Sequence, residues 1–340
     1  MWRRILTILI ARNREFYRDR AGLSWNILMP ILMVLAFAFI FGDSARDVFK
    51  VGLIGAAEPA GVQALPFLET RYVRFIPVGD REAAIGKVER HQLDLLLDLS
   101  GAPRYWINPD SANGYLVERL LRAEEDAAAA PRIERIVVTG TALRYVDWVL
   151  PGVLAMNIMF SSLWGVGWVI VRYRKNGVLR RLKATPLSPW EFLTAQVLSR
   201  LLVVLAASLL VYLGASLLLD FPMLGSYWAL ALVYVAGALC LISLGLIVAA
   251  RLRTEEVADG LLNLISWPML LLSGVWFSME GASSAAQVLS RFLPLTHLVE
   301  GARAVMIEGA GVLEVLPQIA LLGGLAMLFL AVAAWMFRWE

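Results

Sequence analysis

The chain has 340 residues, 59% of them hydrophobic and only 17% charged, with a mean hydropathy of +0.67. That is too apolar for a soluble globular protein and points to a chain that crosses a membrane several times. The net charge of +3 comes from cations gathered beside apolar segments, which the retention of Lys and Arg on the cytoplasmic side explains without a nucleic-acid partner. The one cysteine, Cys240, lies in an apolar run and excludes a disulfide framework.

Residues 1–20, MWRRILTILIARNREFYRDR, alternate arginines with Trp2, Ile5, Leu6, Leu9, Ile10, Phe16 and Tyr17. They read as a helix lying in the cytoplasmic interface. A secretory signal competes, but the apolar run 21–42 is a full bilayer long and has no convincing A-x-A cleavage site, so it is read as an uncleaved first span. Residues 43–147 are different material. Short β-rich runs at 48–55, 72–78, 93–99 and 104–108 alternate with helix-like segments at 61–70, 80–92 and 111–130. This predicts a small α/β domain, placed outside the cytoplasm because it follows an inside-out span.

Five further apolar runs follow, at 148–171, 195–219, 227–250, 257–277 and 317–337, each near the twenty or so residues that a spanning helix needs. The loop at 172–194 is rich in Lys and Arg and reads as cytoplasmic. Asp220 marks an outer loop, Arg251 and Arg253 an inner one, and Arg338 an inner end. Residues 278–316 read as an outer helical hairpin that dips into the membrane, its two helices separated by Pro294. The expected fold is therefore a polytopic α-helical membrane protein. It has six transmembrane helices, an N-terminal interfacial helix, an extracytoplasmic α/β domain between spans one and two, and both termini in the cytoplasm.

No span carries a charged residue near its middle, whereas proton- and ion-coupled transporters usually do. The energy for transport is thus expected to enter from elsewhere. No phosphate-cradling loop is legible: GDREAAIGKV at 79–88 has the wrong spacing and ends in Val88 where a hydroxyl is needed. His297 and Glu300 stand one helical turn apart, but two ligands are too few for a structural metal. Nor is there a nucleophile–base pair that would make the chain an enzyme. Asn157, Ser161, Asn263 and Ser266 are polar at membrane depth, where they serve either interhelical hydrogen bonds or a translocation path.

The most informative stretch is 172–198, RYRKNGVLRRLKATPLSPWEFLTAQVL. Val178, Leu179 and Leu182 recur at helical spacing among the cations, predicting a short amphipathic helix that ends before Pro186. On these residues alone two readings stand, a helix that presses into a partner and a topogenic loop that anchors to anionic headgroups.

Residues 177–191 also strongly resemble the Gly-x-Leu-x-x-Leu-x-x-Thr-Pro-Leu-Ser-Pro-x-Glu segment of membrane subunits of type-two ABC exporters. The matching positions are Gly177, Leu179, Leu182, Thr185, Pro186, Leu187, Ser188, Pro189 and Glu191. LLSGVWF (271–277) followed by PLTHLVEGARA (294–304) looks like that family's fifth span and outer hairpin. The sequence departs from the family at Lys175, Asn176, Gly177 and Val178, where an acidic residue and a Gly-Thr pair are common, and at 278–287, where the hairpin's usual prolines are missing.

The resemblance implies a permease subunit of a bacterial plasma-membrane exporter, working as a dimer with a second copy or a paralogue. ATP and Mg²⁺ would be bound by a separate ATP-binding subunit, and membrane lipids and envelope export components would be further partners. It casts Gly177, Val178, Leu179, Arg180, Arg181, Leu182 and Thr185 as the ATPase-coupling helix, with Glu255 and Glu256 as a second contact. Asn157, Ser161, Asn263 and Ser266 then become residues of the path, and Pro294, His297 and Glu300 belong to the outer hairpin. The implied cargo is a lipid, drug or other amphipathic compound. The alternatives are a polymer such as a polysaccharide, or a membrane sensor with an external ligand-binding domain.

Overall fold

The structure is a computed structural model that describes residues 2–41, 49–55, 66–70, 73–127, 134–138, 143–219, 221, 223–252, 254–280 and 282–337. Asp220, Arg253, Arg338 and the first residues of the helix expected at 61–70 lie outside them. The chain divides into two compact units, residues 41–145 and the remainder.

The larger unit opens with α1 (Trp2–Arg18) and α2 (Arg20–Phe41). On α1, Trp2, Leu6, Ile10 and Tyr17 fall on one stripe and are exposed, while Ile5 is buried beside it. An apolar stripe left in the open suits the plane of a bilayer surface.

The smaller unit is a five-stranded sheet: β1 (Phe49–Ile54), β2 (Val73–Pro77), β3 (Leu95–Asp98), β4 (Arg104–Ile107) and β5 (Glu134–Val137), in spatial order 2-1-3-4-5. Only the β3–β4 pair is antiparallel. Two helices join it, α3 (Arg81–Glu89) and α4 (Ala112–Ala127). Alternation across the strands builds two cores. Leu95 and Leu97 pack with Val117 and Leu121 of α4, while Leu96 packs with Ala84 and Val88 of α3. A sheet covered on both faces has strands that read as continuous apolar runs, which is why LDLLLDL was legible. β5 was not expected: ERIV is short and half charged.

Asp98 closes β3 and accepts hydrogen bonds from Ser100 N (3.0 Å), Ser100 Oγ (2.6 Å) and Arg81 Nη2 (2.5 Å). Burial pushes its carboxyl up, but these donors outweigh burial and hold it below the usual carboxylate range. A pKa depressed by folding adds stability above the unfolded value, and that stability is lost as the pH falls through the folded value. Asp94, pushed up by burial, has the opposite sign. Asp98→Asn is therefore expected to lower protection of the β3 amides by about 1–3 kcal/mol at neutral pH. It should also remove the part of the acid loss that wild type shows as the pH falls through and below the ordinary carboxylate range. Hydrogen exchange at a series of pH values checks this, since Asp94 is unchanged between the two chains.

The rest of the larger unit is helical. α5 (Tyr145–Lys175) is continuous but contains a π-helical turn at Trp164–Trp168. Then come α6 (Val178–Lys183), α7 (Pro189–Leu219), α8 (Tyr227–Ala249) and α9 (Glu255–Leu272). The chain continues through α10 (Ser284–Ser290), α11 (Pro294–Glu308) and α12 (Leu316–Met336). Among the described residues, α5, α7, α8 and α12 are long and apolar enough to cross a membrane. The fifth expected span stops short of 277: α9 ends at Leu272, and its 18 residues include Glu255, Glu256 and Asp259. α2 has 22 residues and an apolar sequence, with several of its side chains outside the description. α7 begins at Pro189, six residues before the span read from composition, and at 31 residues is about 46 Å long. α8 packs chiefly against α12 and α11, and α1 lies along α7.

Candidate functional site

The segment between α5 and α7 is built from local signals. Gly177 takes a left-handed conformation (φ +69°) that turns the chain out of α5 and into α6. At the far end Thr185 Oγ1 donates to Leu182 O (2.6 Å) and Leu187 N donates to Thr185 O (2.8 Å), closing the helix before Pro186. Ser188 and Glu191 then form a reciprocal cap: Ser188 N donates to Glu191 Oε2 (3.0 Å) and Glu191 N to Ser188 Oγ (3.2 Å). With Pro189 in the first helical turn, this is the Ser-x-x-Glu start signal of α7. The Thr-Pro-Leu-Ser-Pro-x-Glu run is thus a stop followed by a start, and it fixes the length of α6 and the entry of α7.

The two faces of α6 part company. Leu179 is 0% exposed and belongs to a core cluster that draws on five other helices: Ile170 of α5, Phe192 of α7, Leu246 of α8, Ala258 of α9 and Ala333 of α12. Leu182 and Leu187 pack against the same cluster. Arg180, Arg181, Lys183, Ala184, Thr185 and Pro186 are exposed instead. Leu179 and Leu182 therefore bind the helix to its own bundle, while Val178 is half-buried outside that cluster. What it offers to the outside is basic.

Two anchors hold the neighbouring chain. Arg174 donates to Ala249 O (2.9 Å), Ala250 O (3.0 Å) and Leu252 O, covering the carbonyls left open at the end of α8. Lys175 reaches Glu255 (3.3 Å) and Glu256 (3.9 Å) at the start of α9. Glu255 and Glu256 are thus already engaged by the loop, with Glu256 mostly exposed. From α1, Arg4 donates to Pro186 O (2.5 Å) and lies 3.6 Å from Glu191, while Arg12 donates to Tyr173 Oη (3.1 Å) and pairs with Glu15 (2.9 Å).

The four polar residues expected along a path separate. Asn157 and Ser161 line a cavity of about 610 Å³ inside the helical unit. Asn263 donates to Asp259 O of its own helix (2.9 Å), and Ser266 is buried without lining that cavity. The cavity walls are otherwise Met29, Pro30 and Met33 of α2, Met156, Phe160 and Trp164 of α5, Arg200 of α7, and Trp267, Leu270 and Trp276.

Arg200 was missed in the sequence because a span starting at Ala195 puts it at the edge. The Ser188–Glu191 cap was the signal that moves the start back and places it twelfth in the helix. It donates to Ser161 O (2.5 Å) and Ser161 Oγ (2.9 Å), beside the π turn. Its guanidinium occupies the place where a Cβ on Gly165 would sit.

In the hairpin Pro294 stands between two helices, after the end of α10 at Ser290 and as the first residue of α11. His297 Nε2 donates to Arg291 O (2.8 Å), and its Nδ1 lies 3.9 Å from exposed Glu300. No group of three or more His, Cys, Asp and Glu side chains gathers among the described residues. Arg303, also missed, stacks on Trp148 (3.6 Å) and donates to Trp148 O (3.2 Å), Gly274 O (2.7 Å) and Val275 O (3.3 Å). It ties α11 to the start of α5 and to the chain leaving α9.

Residues 116–307 match the family model described as ABC-2 type transporter. The chain is 27% identical over 238 residues to the inner membrane transport permease YhhJ of Escherichia coli (strain K12), covering 67% of this chain but 63% of that protein. It is 22% identical over 344 residues to YbhS of the same organism, named as a probable multidrug ABC transporter permease, covering 91% of this chain and 89% of that one. The family match takes in more than half of the chain, including the loop helix, its caps and the cavity walls outside α2, and on that ground the chain belongs to the ABC-2 type transporter family, as a transmembrane permease subunit.

Proposed function

We propose that the chain is the membrane half of an ATP-driven exporter, energised by a separate ATP-binding subunit that docks on α6. The observation that carries this reading is the division of α6 into an inward Leu179 and an outward basic face. A loop that served only topology needs its cations but not a helix keyed into a five-helix core. Arg180, Arg181 and Lys183 would meet acidic groups of the ATPase, and Thr185 and Pro186 would edge the contact. ATP and Mg²⁺ would remain on that partner.

On this reading α2 and α9 complete six spans, and both termini and α6 face the cytoplasm of a bacterial inner membrane. The α/β unit faces outward, and two permeases, identical or paralogous, form the pathway. The names of YhhJ and YbhS agree with an inner-membrane transport permease and with multidrug cargo. The cavity of Met, Trp and Phe side chains supports an amphipathic compound over a polymer as cargo.

The test is co-expression of this permease with its candidate ATP-binding subunit, purification through a tag on the permease, and ATP hydrolysis in nanodiscs. Retention of the ATPase and turnover above that of the ATPase alone are expected. Recruitment of no ATPase would remove the coupling step and leave a sensor as the better reading.

A further inference from the structure

Arg200 is 8% exposed within an apolar helix. Its hydrogen bonds go to Ser161 alone, and no carboxylate lies within ion-pair distance among the described residues. Two acids that meet other residues of this region are engaged: Glu15 pairs with Arg12 and accepts from Tyr173, and Asp259 accepts from Trp164 Nε1 (2.7 Å). Arg12 itself donates to Gly165 O (3.1 Å), which adds a second cation beside the same π turn. Four residues before Ser161, Asn157 is 6% exposed and its Nδ2 has no hydrogen-bond partner, although it lines the same cavity. The Arg200 guanidinium also lies over the Phe16 ring, 5.6 Å from the centroid. Buried cations are normally paired with an anion, and one in an apolar segment that meets only a serine and a ring marks a place where an anion arrives.

Depth says what arrives. From Arg200 to Leu219 α7 rises about 28 Å without another charge, close to the roughly 30 Å of a bilayer's hydrocarbon. Arg200 therefore lies near the edge of the apolar slab, at the end of the bundle that carries α6. From Trp164 the cavity runs about 12 Å along α5 to Met156, with Met29, Met33, Trp267 and Trp276 around it. Arg200, Ser161 and Asn157 give it a polar wall, and the Met and Trp side chains an apolar and adaptable remainder.

We infer that this cavity binds an amphipathic anion, its phosphate or carboxylate head on Arg200 and Asn157 and its chain among the Met and Trp side chains. The Ser161 contacts hold the guanidinium over Gly165 and leave the rest of its fork for the ligand. The inference rests on the export reading only in making that anion cargo.

The test titrates the permease alone, in phosphatidylcholine nanodiscs, with dodecyl phosphate and separately with dodecyltrimethylammonium, reading tryptophan fluorescence. Dodecyl phosphate is expected to bind on the order of tenfold more tightly, and Arg200→Gln to abolish that preference while Arg200→Lys retains part of it. Asn157→Leu leaves the Ser161–Arg200 contacts in place. It should weaken dodecyl phosphate roughly fivefold and leave the cation unchanged, which keeps the question open to refutation should Arg200→Gln not fold.

Competition by inorganic phosphate would assign recognition to a soluble head. Competition by phosphatidylglycerol in the disc would assign it to a bilayer lipid, and either supports the anion site. Equal affinities for the two amphiphiles in wild type, or equal losses of both in the variants, would overturn it and leave Arg200 as a brace for the π turn. No ATPase is present, so this failure and a failure of ATPase recruitment are read in different experiments.

Discussion

Leu179→Asp is expected to destabilise the helical unit by about 3–5 kcal/mol, the penalty for a charge buried without a partner. The side chain is fully enclosed by residues of α5, α7, α8, α9 and α12, and none of its named core neighbours offers a hydrogen bond. Leu179→Ala should lose about 2–5 kcal/mol by leaving a cavity. Denaturant titration in bicelles reads both, and proteolysis at 176–188 should accelerate in step because α6 comes away from the bundle. Midpoints unchanged from wild type would mean that Leu179 is not buried in the membrane-embedded protein. ATPase recruitment would also fall in these variants, but for a structural reason.

Arg180→Glu with Arg181→Glu separates docking from folding. Both side chains are exposed, so stability should stay within about 0.5 kcal/mol of wild type. Recruitment of the ATP-binding subunit is expected to fall on the order of a hundredfold, because two attractions become repulsions against an acidic surface. Permease-dependent ATP hydrolysis should vanish with it. Retention of the ATPase by the double variant would move the coupling surface away from α6. Reversal of acidic residues on the ATPase should restore binding, which a general defect in the permease would not allow.

Much of this was legible beforehand because local signals were strong. The end of α6 before Pro186 was read from helical spacing and the proline, whereas the Gly177 turn and the Ser188–Glu191 cap, within the same fifteen residues, counted only as positions of a family resemblance. The runs at 93–99 and 104–108 announced strands because both sides of the sheet are covered.

What escaped has a common cause. The period of Val178, Leu179 and Leu182 shows that α6 has an apolar side but not what meets it. The bundle's own core and a partner's groove ask for the same residues. The π turn at Trp164–Trp168 has no composition of its own, so the meeting of Arg200 with Ser161 across two helices left no trace in spacing. Arg174 counted simply as one cation of the loop and Arg303 was passed over, yet each is committed to backbone carbonyls of other segments.

The length of α7 carries one more consequence. Its 31 residues overhang a bilayer's hydrocarbon by about 16 Å on the side of α6, with Arg200 near the plane of exit. Moving as one piece about that plane, the helix is a lever with a short arm outside and an arm of about 28 Å within. A tilt of about 10° would shift the short end by about 3 Å and the far end by about 5 Å in the opposite direction. If the ATP-binding subunit drives α6, a stroke no larger than a side-chain contact at the loop would thereby be lengthened, and reversed, at the opposite face.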